Sequence, residues 1–145
     1  MEDLFDEEPK NFIISIKPNY ALKIIDGVKT VELRRRFPVD NIKGGKVIVY
    51  ASSPIKEIIG YAIIESVEKL SVAKLWRKYN KEACVEKDFF NTYFEGVEEG
   101  YAVSLSHPVK LELPIDVKSL EKKYKISAPQ SYCYASAKIL KAIGV

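Results

Sequence analysis

Three of the four arginines in this chain stand side by side at Arg34, Arg35 and Arg36, while every other basic residue except Arg77 is lysine. A guanidinium presents a rigid fork of donors matched to phosphate or carboxylate, whereas an ammonium is a mobile point charge. A chain that otherwise uses lysine has gathered arginine at one place, which marks that place for anion recognition. The triplet follows the run Gly27-Val28-Lys29-Thr30-Val31-Glu32-Leu33. Residues two apart in a strand share a face. Thr30, Glu32, Arg34 and Arg36 are therefore expected on one side, with Val31 and Leu33 on the other, pointing into a barrel. A carboxylate beside a guanidinium stays ionised and fixes the pose of the fork. Lys29, where the chain enters this strand, reaches over the same cleft. Arg35 has the opposite parity and is left out of the set. The rival interpretation is an exposed strand with an ion pair of little energetic worth; the clustering of arginine favours function.

Further candidates lie elsewhere in the chain. Gln130 is its only glutamine, and a carboxamide offers both donor and acceptor to a base edge. Ser131 is expected to cap a final helix, whose free N–H groups would face an anion. Ser52 and Ser53 close a strand and are placed to contact phosphate, although Ser-Ser-Pro is also a turn composition. Lys17 stands where the first strand turns into a helix at Pro18. Tyr50 is read either as a stacking ring or as core. The Phe89, Phe90, Tyr93 and Phe94 stripe is assigned to core packing, since aromatic residues at helical spacing are what burial requires; Trp76 and Tyr79 are read the same way. His107, the lone histidine, precedes a proline and is read as structural. Cys84 and Cys133 lack the spacing of a zinc site or a disulfide framework. No metal or cofactor is implied.

The elements that must position these residues follow from pattern and punctuation. Short strands are expected at Phe12–Ile16, Thr30–Arg34, Lys46–Ala51 and Ile58–Val67, the last with a bulge or bend at Gly60. Gly100–Leu113 is a long strand, bent near His107-Pro108. Helices are expected from Pro18 to a stop at Asp26-Gly27, from Ser71 to Tyr79, around Glu86–Phe94, from Asp116 to Tyr124, and from Ser131 onward. Five to six short strands with helices in the connections predict an α+β domain built on a small mixed β-barrel.

Composition sets the outer bounds. A chain of 145 residues, 47% hydrophobic and 30% charged, suits one ordinary domain. No apolar run approaches the ~20 residues needed to span a bilayer, and no targeting segment is visible, so a cytoplasmic protein is expected. Five acids fall within the first eight residues, leaving a body with 23 basic against 15 acidic residues. The expected organisation is an acidic tail, residues 1–10, ahead of a basic domain, residues 11–145, whose charge favours polyanionic partners.

Gly27-x-Lys29-x-x-Glu32-x-Arg34 matches the GxKxxExR signature of the ASCH domain. Ser15-Ile16-Lys17-Pro18, Tyr50-Ala51-Ser52-Ser53-Pro54 and Ala128-Pro129-Gln130-Ser131-Tyr132 follow the same family in order. The chain thus resembles the archaeal, bacterial and phage ASCH proteins described as predicted transcriptional regulators. The resemblance implies a PUA-like barrel with a cleft beside the first helix that binds RNA or a nucleotide-containing ligand. The residues it implicates are Lys17, Lys29, Glu32, Arg34, Arg36, Ser52, Ser53, Gln130 and Ser131. The alternative is a ribonuclease or a hydrolase of modified nucleosides using Lys29 and Glu32. One group of relatives hydrolyses acetylated cytidine with a threonine where this sequence has Glu32, and a carboxylate is a poor substitute for that nucleophile.

Overall fold

In the computed structural model, which describes residues 8–145, Phe12–Ile16 (β1) runs parallel to Lys46–Ala51 (β3), and every other strand pairing is antiparallel. Most of the acidic N-terminal segment, residues 1–7, lies outside the described residues. The remaining strands are Val31–Arg34 (β2), Glu57–Ser71 (β4), Glu99–Asp116 (β5) and Tyr132–Tyr134 (β6). Together they form one mixed six-stranded sheet in the order β2-β5-β4-β3-β1-β6. The helices are Pro18–Ile25 (α1), Val72–Ala83 (α2), Lys87–Tyr93 (α3), Val117–Tyr124 (α4) and Ala137–Ala142 (α5). Among the described residues, no helix is long and apolar enough to cross a membrane.

The central strands are hydrophobic on both faces because both faces are covered. Phe12, Ile14, Val47 and Val49 pack with Ile24 and Ala21 of α1, while Ile13 and Ile48 turn the other way onto Leu120 of α4 and Ile139 of α5. Continuous rather than alternating apolar runs are what such two-sided burial demands. A third cluster joins Val31 and Leu33 of β2 and Ala102 of β5 to Leu75 of α2 and Phe90 of α3. Tyr50 belongs to the α4–α5 side and is 3% exposed, so it serves as core rather than as a stacking surface.

Local signals set the boundaries. Pro18 opens α1, and Gly27, at φ 81°, accepts the left-handed stop just beyond it. The side chains of Ser71 and Asp116 accept from Lys74 N and Ser119 N and so cap α2 and α4. Gly60 sits at a register shift against β5, where a Cβ would run into Val109 O and the Ile25 side chain. His107 has φ 51° and lies with Pro108 in the register break between the pairs Ile63–Ser106 and Tyr61–Val109, which is the expected bend.

Two expectations are corrected. Ser131 does not cap a helix: the chain continues as β6 against β1, and the cap of the last helix lies five residues later, where Ser136 accepts from Ile139 N. A run of Tyr132-Cys133-Tyr134 is strand chemistry, and an open place beside β1 draws it into the sheet. Val31 and Leu33 do not face the interior of the curl. They lie under α2 and α3, and the polar face of β2 points inward instead, with Glu32 opposite Val103, itself in the central core. The parity is as expected, but helices on the outer side of β2 supply the apolar cover that reverses its sense.

Candidate functional site

A cleft of about 460 Å³ opens where α1, β2 and α3 meet the ends of β1 and β3. Its floor comes from the inward polar face of β2 and from Lys29 just before it, all buried: Lys29 is 2%, Glu32 7% and Arg34 8% exposed. Glu32 takes both cations, with Oε1 3.3 Å from Lys29 Nζ and Oε2 3.1 Å from Arg34 Nη1. Lys29 Nζ also donates to Ala83 O at the end of α2 and stands 5.2 Å from the centre of the Tyr20 ring. Two cations against one carboxylate leave a net positive charge in a water-poor floor, where electrostatic interactions are stronger than at the surface.

Arg34 holds the two ends of the sheet together. From the last residue of β2, Nη2 donates to Ser131 Oγ at 2.6 Å, and Nη1 lies 3.4 Å from Ser15 O. Arg34 Nε is buried without a hydrogen-bond partner. An unsatisfied buried donor costs about 1–3 kcal/mol, a cost carried by a residue that lines the cleft.

The wall facing the charged floor is aromatic. Phe89 and Tyr93 of α3 lie with their rings parallel to within 7° and 6.0 Å apart. Tyr20 packs against Phe89 at 5.2 Å, and Lys17 Nζ lies 5.5 Å from the Phe89 centroid. Burial pushes the Tyr20 phenol above its ordinary pKa, so the ring stays neutral. Ser52 and Gln130 complete the lining.

Of the residues singled out in the sequence, Lys17, Lys29, Glu32, Arg34, Ser52 and Gln130 meet at this cleft. Ser131 joins through its hydroxyl contact with Arg34, not through a helix terminus. Two do not join: Arg36 lies beyond the end of β2, and Ser53 lies in the turn after β3, both exposed. Tyr20, Phe89 and Tyr93 line the cleft without having been singled out for it. All four aromatic residues border the cleft, but Phe90 and Phe94 are 3% exposed, as the core assignment expects, whereas Phe89 and Tyr93 are half-buried. The signal is present in the sequence: Phe89/Tyr93 and Phe90/Phe94 are two i, i+4 pairs, and two pairs a single residue apart cover more of a helix than one core contact fills.

The profile of the ASCH domain matches residues 14–140. The chain belongs to the ASCH domain family. This ASCH domain is 34% identical over 134 residues to a Zymomonas mobilis protein named "ASCH domain-containing ribonuclease", an alignment covering 90% of this chain and 86% of that one. A crystal structure of ASCH from Zymomonas mobilis superposes with a TM-score of 0.84 at 32% identity, covering 91% and 92% of the two chains. The fold is the mixed, PUA-like ASCH fold expected from the sequence, with its sheet open at β2 and β6. The N-terminal domain of Staphylothermus marinus McrB shares the fold at a TM-score of 0.57 and 14% identity, covering 94% of each chain.

Proposed function

We propose that this ASCH domain, residues 11–145, binds RNA with one nucleotide unit seated in the cleft. The observation that carries the reading is the buried Lys29–Glu32–Arg34 floor of net positive charge, in a cleft that the parallel rings of Phe89 and Tyr93 also line. A nucleotide unit supplies both complements: acceptors on phosphate or base edge for the guanidinium, and a flat ring for the wall. Glu32 is occupied by Lys29 and Arg34, so its part is to hold the fork in place rather than to read a base. Lys17, Ser52 and Gln130 border the same space and suit phosphate or sugar contacts. No cofactor enters this reading. A role in regulating transcription or RNA metabolism would follow from such binding, and the free thiols of Cys84 and Cys133 suit a reducing cytoplasm. Fluorescence anisotropy with a labelled 20-nucleotide RNA tests the reading. Arg34→Gln is expected to weaken binding tenfold or more, and unchanged affinity would sink it.

A second reading, RNA cleavage, is favoured by the name of the Zymomonas mobilis relative. In that reaction a ribose 2′-oxygen gives up its proton and forms a bond to the adjacent phosphorus as the bond to the 5′-oxygen breaks; the departing 5′-oxygen takes up a proton, and negative charge grows on the phosphoryl oxygens meanwhile. Lys29 and Arg34 are placed to stabilise that charge. Proton acceptance by Glu32 would require it to release one of its two cations, and Lys29 at 3.3 Å is the longer contact. Incubation of end-labelled RNA and of acetylated nucleosides, with and without chelator, separates binding from turnover. RNA cleavage lost in Lys29→Met establishes the enzymatic reading, whereas intact RNA and nucleosides leave binding alone.

A further inference from the structure

The two helical layers of this domain are charged very differently. Residues 72–99, which carry α2 and α3, hold five basic and six acidic residues, and those flanking β4 are partly paired, as in Lys78–Glu68 at 2.8 Å and Lys69–Glu99 at 3.6 Å. Residues 117–145, which carry α4 and α5, hold six lysines against the single acid Glu121, a net of +5 in a chain whose formal total is +3. All six lysines are exposed, and none is in an ion pair among the described residues. A solvated helix face ordinarily intersperses both signs, as the α2–α3 layer does. An unpaired run of one sign carries a self-repulsion that a polyanion relieves.

The placement of this charge links it to the cleft. On α4 the buried Leu120 faces the sheet, so Lys118 and Lys122, two residues to either side, point away from it at 3.6 residues per turn. The start of α4 is fastened to the turn after β3, where Val117 N donates to Lys56 O and Ile55 N to Ser52 O, and Ser52 lines the cleft. The end of α4 leads through residues 125–130 to Gln130, also a lining residue. Five residues span at most about 18 Å, so Lys125 lies within a few nucleotides' reach of the cleft. Lys138 Nζ donates to Lys123 O, which ties α5 to α4 and brings Lys141 into the same surface.

We propose that the α4–α5 lysine surface is a second binding site, for the phosphodiester backbone of the RNA strand whose nucleotide occupies the cleft. This proposal rests on the reading of the cleft and extends it: the ligand is a polymer, and the lysines hold the strand on one side of the seated nucleotide. Ammonium groups on flexible stems suit that task, since backbone contacts need charge without a fixed geometry. The two sites divide the work, with arginine and aromatic rings gripping one unit and lysine retaining the strand.

The test compares wild type with the variant Lys118→Gln/Lys122→Gln/Lys123→Gln/Lys125→Gln, using three probes: a labelled 20-nucleotide oligouridine, uridine monophosphate, and phosphatidylserine vesicles. Exposed side chains leave the melting temperature within a few degrees of wild type. Affinity for the oligonucleotide is expected to fall at least tenfold at 50 mM salt. Each phosphate contact contributes about 0.7 to the slope of log affinity against log salt, so losing four flattens the slope by up to about 3. Binding of the mononucleotide stays unchanged. An unaltered oligonucleotide affinity and slope overturns the proposal, as does an equal loss for both nucleotide probes, or binding to vesicles without binding to RNA. Wild type that takes the mononucleotide but not the oligonucleotide overturns it while leaving the cleft reading intact. Conversely, salt-dependent RNA binding insensitive to Arg34→Gln but lost in the lysine variant upholds this surface and removes the cleft.

Discussion

Arg34 Nη2 donates to Ser131 Oγ at 2.6 Å, and the two residues belong to opposite edges of the sheet: Arg34 ends β2, and Ser131 immediately precedes β6. The six strands do not close by backbone pairing, so this side-chain bond spans the gap that a closed barrel would fill with a ladder. The same guanidinium pairs with Glu32, and Arg34 lines the cleft. One residue therefore joins the edges of the fold and supplies part of the charge of the site.

The two ends of this bond are expected to respond unequally. Removing one partner of a buried charged pair costs about 3–5 kcal/mol, and Arg34→Ala should lose that much in denaturant unfolding. Ser131 is exposed, so water replaces its hydroxyl, and Ser131→Ala should cost no more than about 1.5 kcal/mol. Equal losses for both variants would show that the pairing of Arg34 with Glu32 adds nothing beyond the bond to Ser131.

Charge counting on the cleft floor gives a second asymmetry. Glu32 holds two cations, Lys29 at 3.3 Å and Arg34 at 3.1 Å, with side chains at or below 9% exposure. Lys29→Met leaves a neutral, still paired Arg34–Glu32 couple. Glu32→Ala leaves two buried like charges with nothing between them. Glu32→Ala should therefore be the more destabilising by about 1–3 kcal/mol, and adding Lys29→Met to it should restore part of the loss. Chemical denaturation of the two single variants and the double variant measures the coupling; strict additivity would contradict it.

Much of this arrangement is legible in the amino-acid sequence. The grouping of Glu32 with Arg34 follows from strand parity and that of Lys29 from its place at the strand entry, and the caps at Ser71 and Asp116 follow from their residue types. The side of the sheet to which that parity refers is not legible there. Val31 and Leu33 find apolar cover under α2 and α3, forty and more residues downstream, and a local pattern carries no information about which distant helix will supply it. The same limit explains Ser131. Its composition fits a helix cap, but whether Tyr132–Tyr134 becomes a strand depends on a vacancy beside β1. Phe89 and Tyr93 are harder to read, because burial and ligand stacking select the same side chains; the only local signal is that their i, i+4 pair stands one residue from the Phe90/Phe94 pair.

Acid should loosen the packing between α2 and β4. Lys78 and Tyr79 both donate to Glu68, and these hydrogen bonds, that from Lys78 first, hold its carboxyl below the ordinary range. A carboxyl depressed by folding contributes stability above its unfolded pKa and loses it as the pH falls through the lower, folded value. Glu68→Gln should thus be less stable than wild type at pH 7, with the difference shrinking as the pH drops below the unfolded carboxyl pKa of about 4.3. The pair is well exposed and the effect correspondingly small. Melting temperatures of both proteins from pH 7 to pH 3 give the comparison, and a gap that widens in acid would reverse the assignment.

Two adjacent phenylalanines on α3 should separate binding from stability. Phe90 is 3% exposed and packs on Trp76 at 5.1 Å and Phe94 at 4.7 Å within the cluster beneath α2. Its neighbour Phe89 is half-buried and presents its ring to the cleft beside Tyr93. Truncating a buried phenylalanine costs about 3–5 kcal/mol, so Phe90→Ala should lower the melting temperature sharply. Phe89→Ala gives up only partly buried surface and should melt much closer to wild type. Its effect belongs to the ligand: a base that stacks on an aromatic ring loses about 1–3 kcal/mol when the ring is removed, or roughly 5- to 150-fold in affinity. RNA binding and thermal unfolding measured on the same two variants should therefore rank them in opposite order. If Phe89→Ala binds RNA as tightly as wild type, the aromatic wall is packing and the cleft recognises its ligand by charge alone.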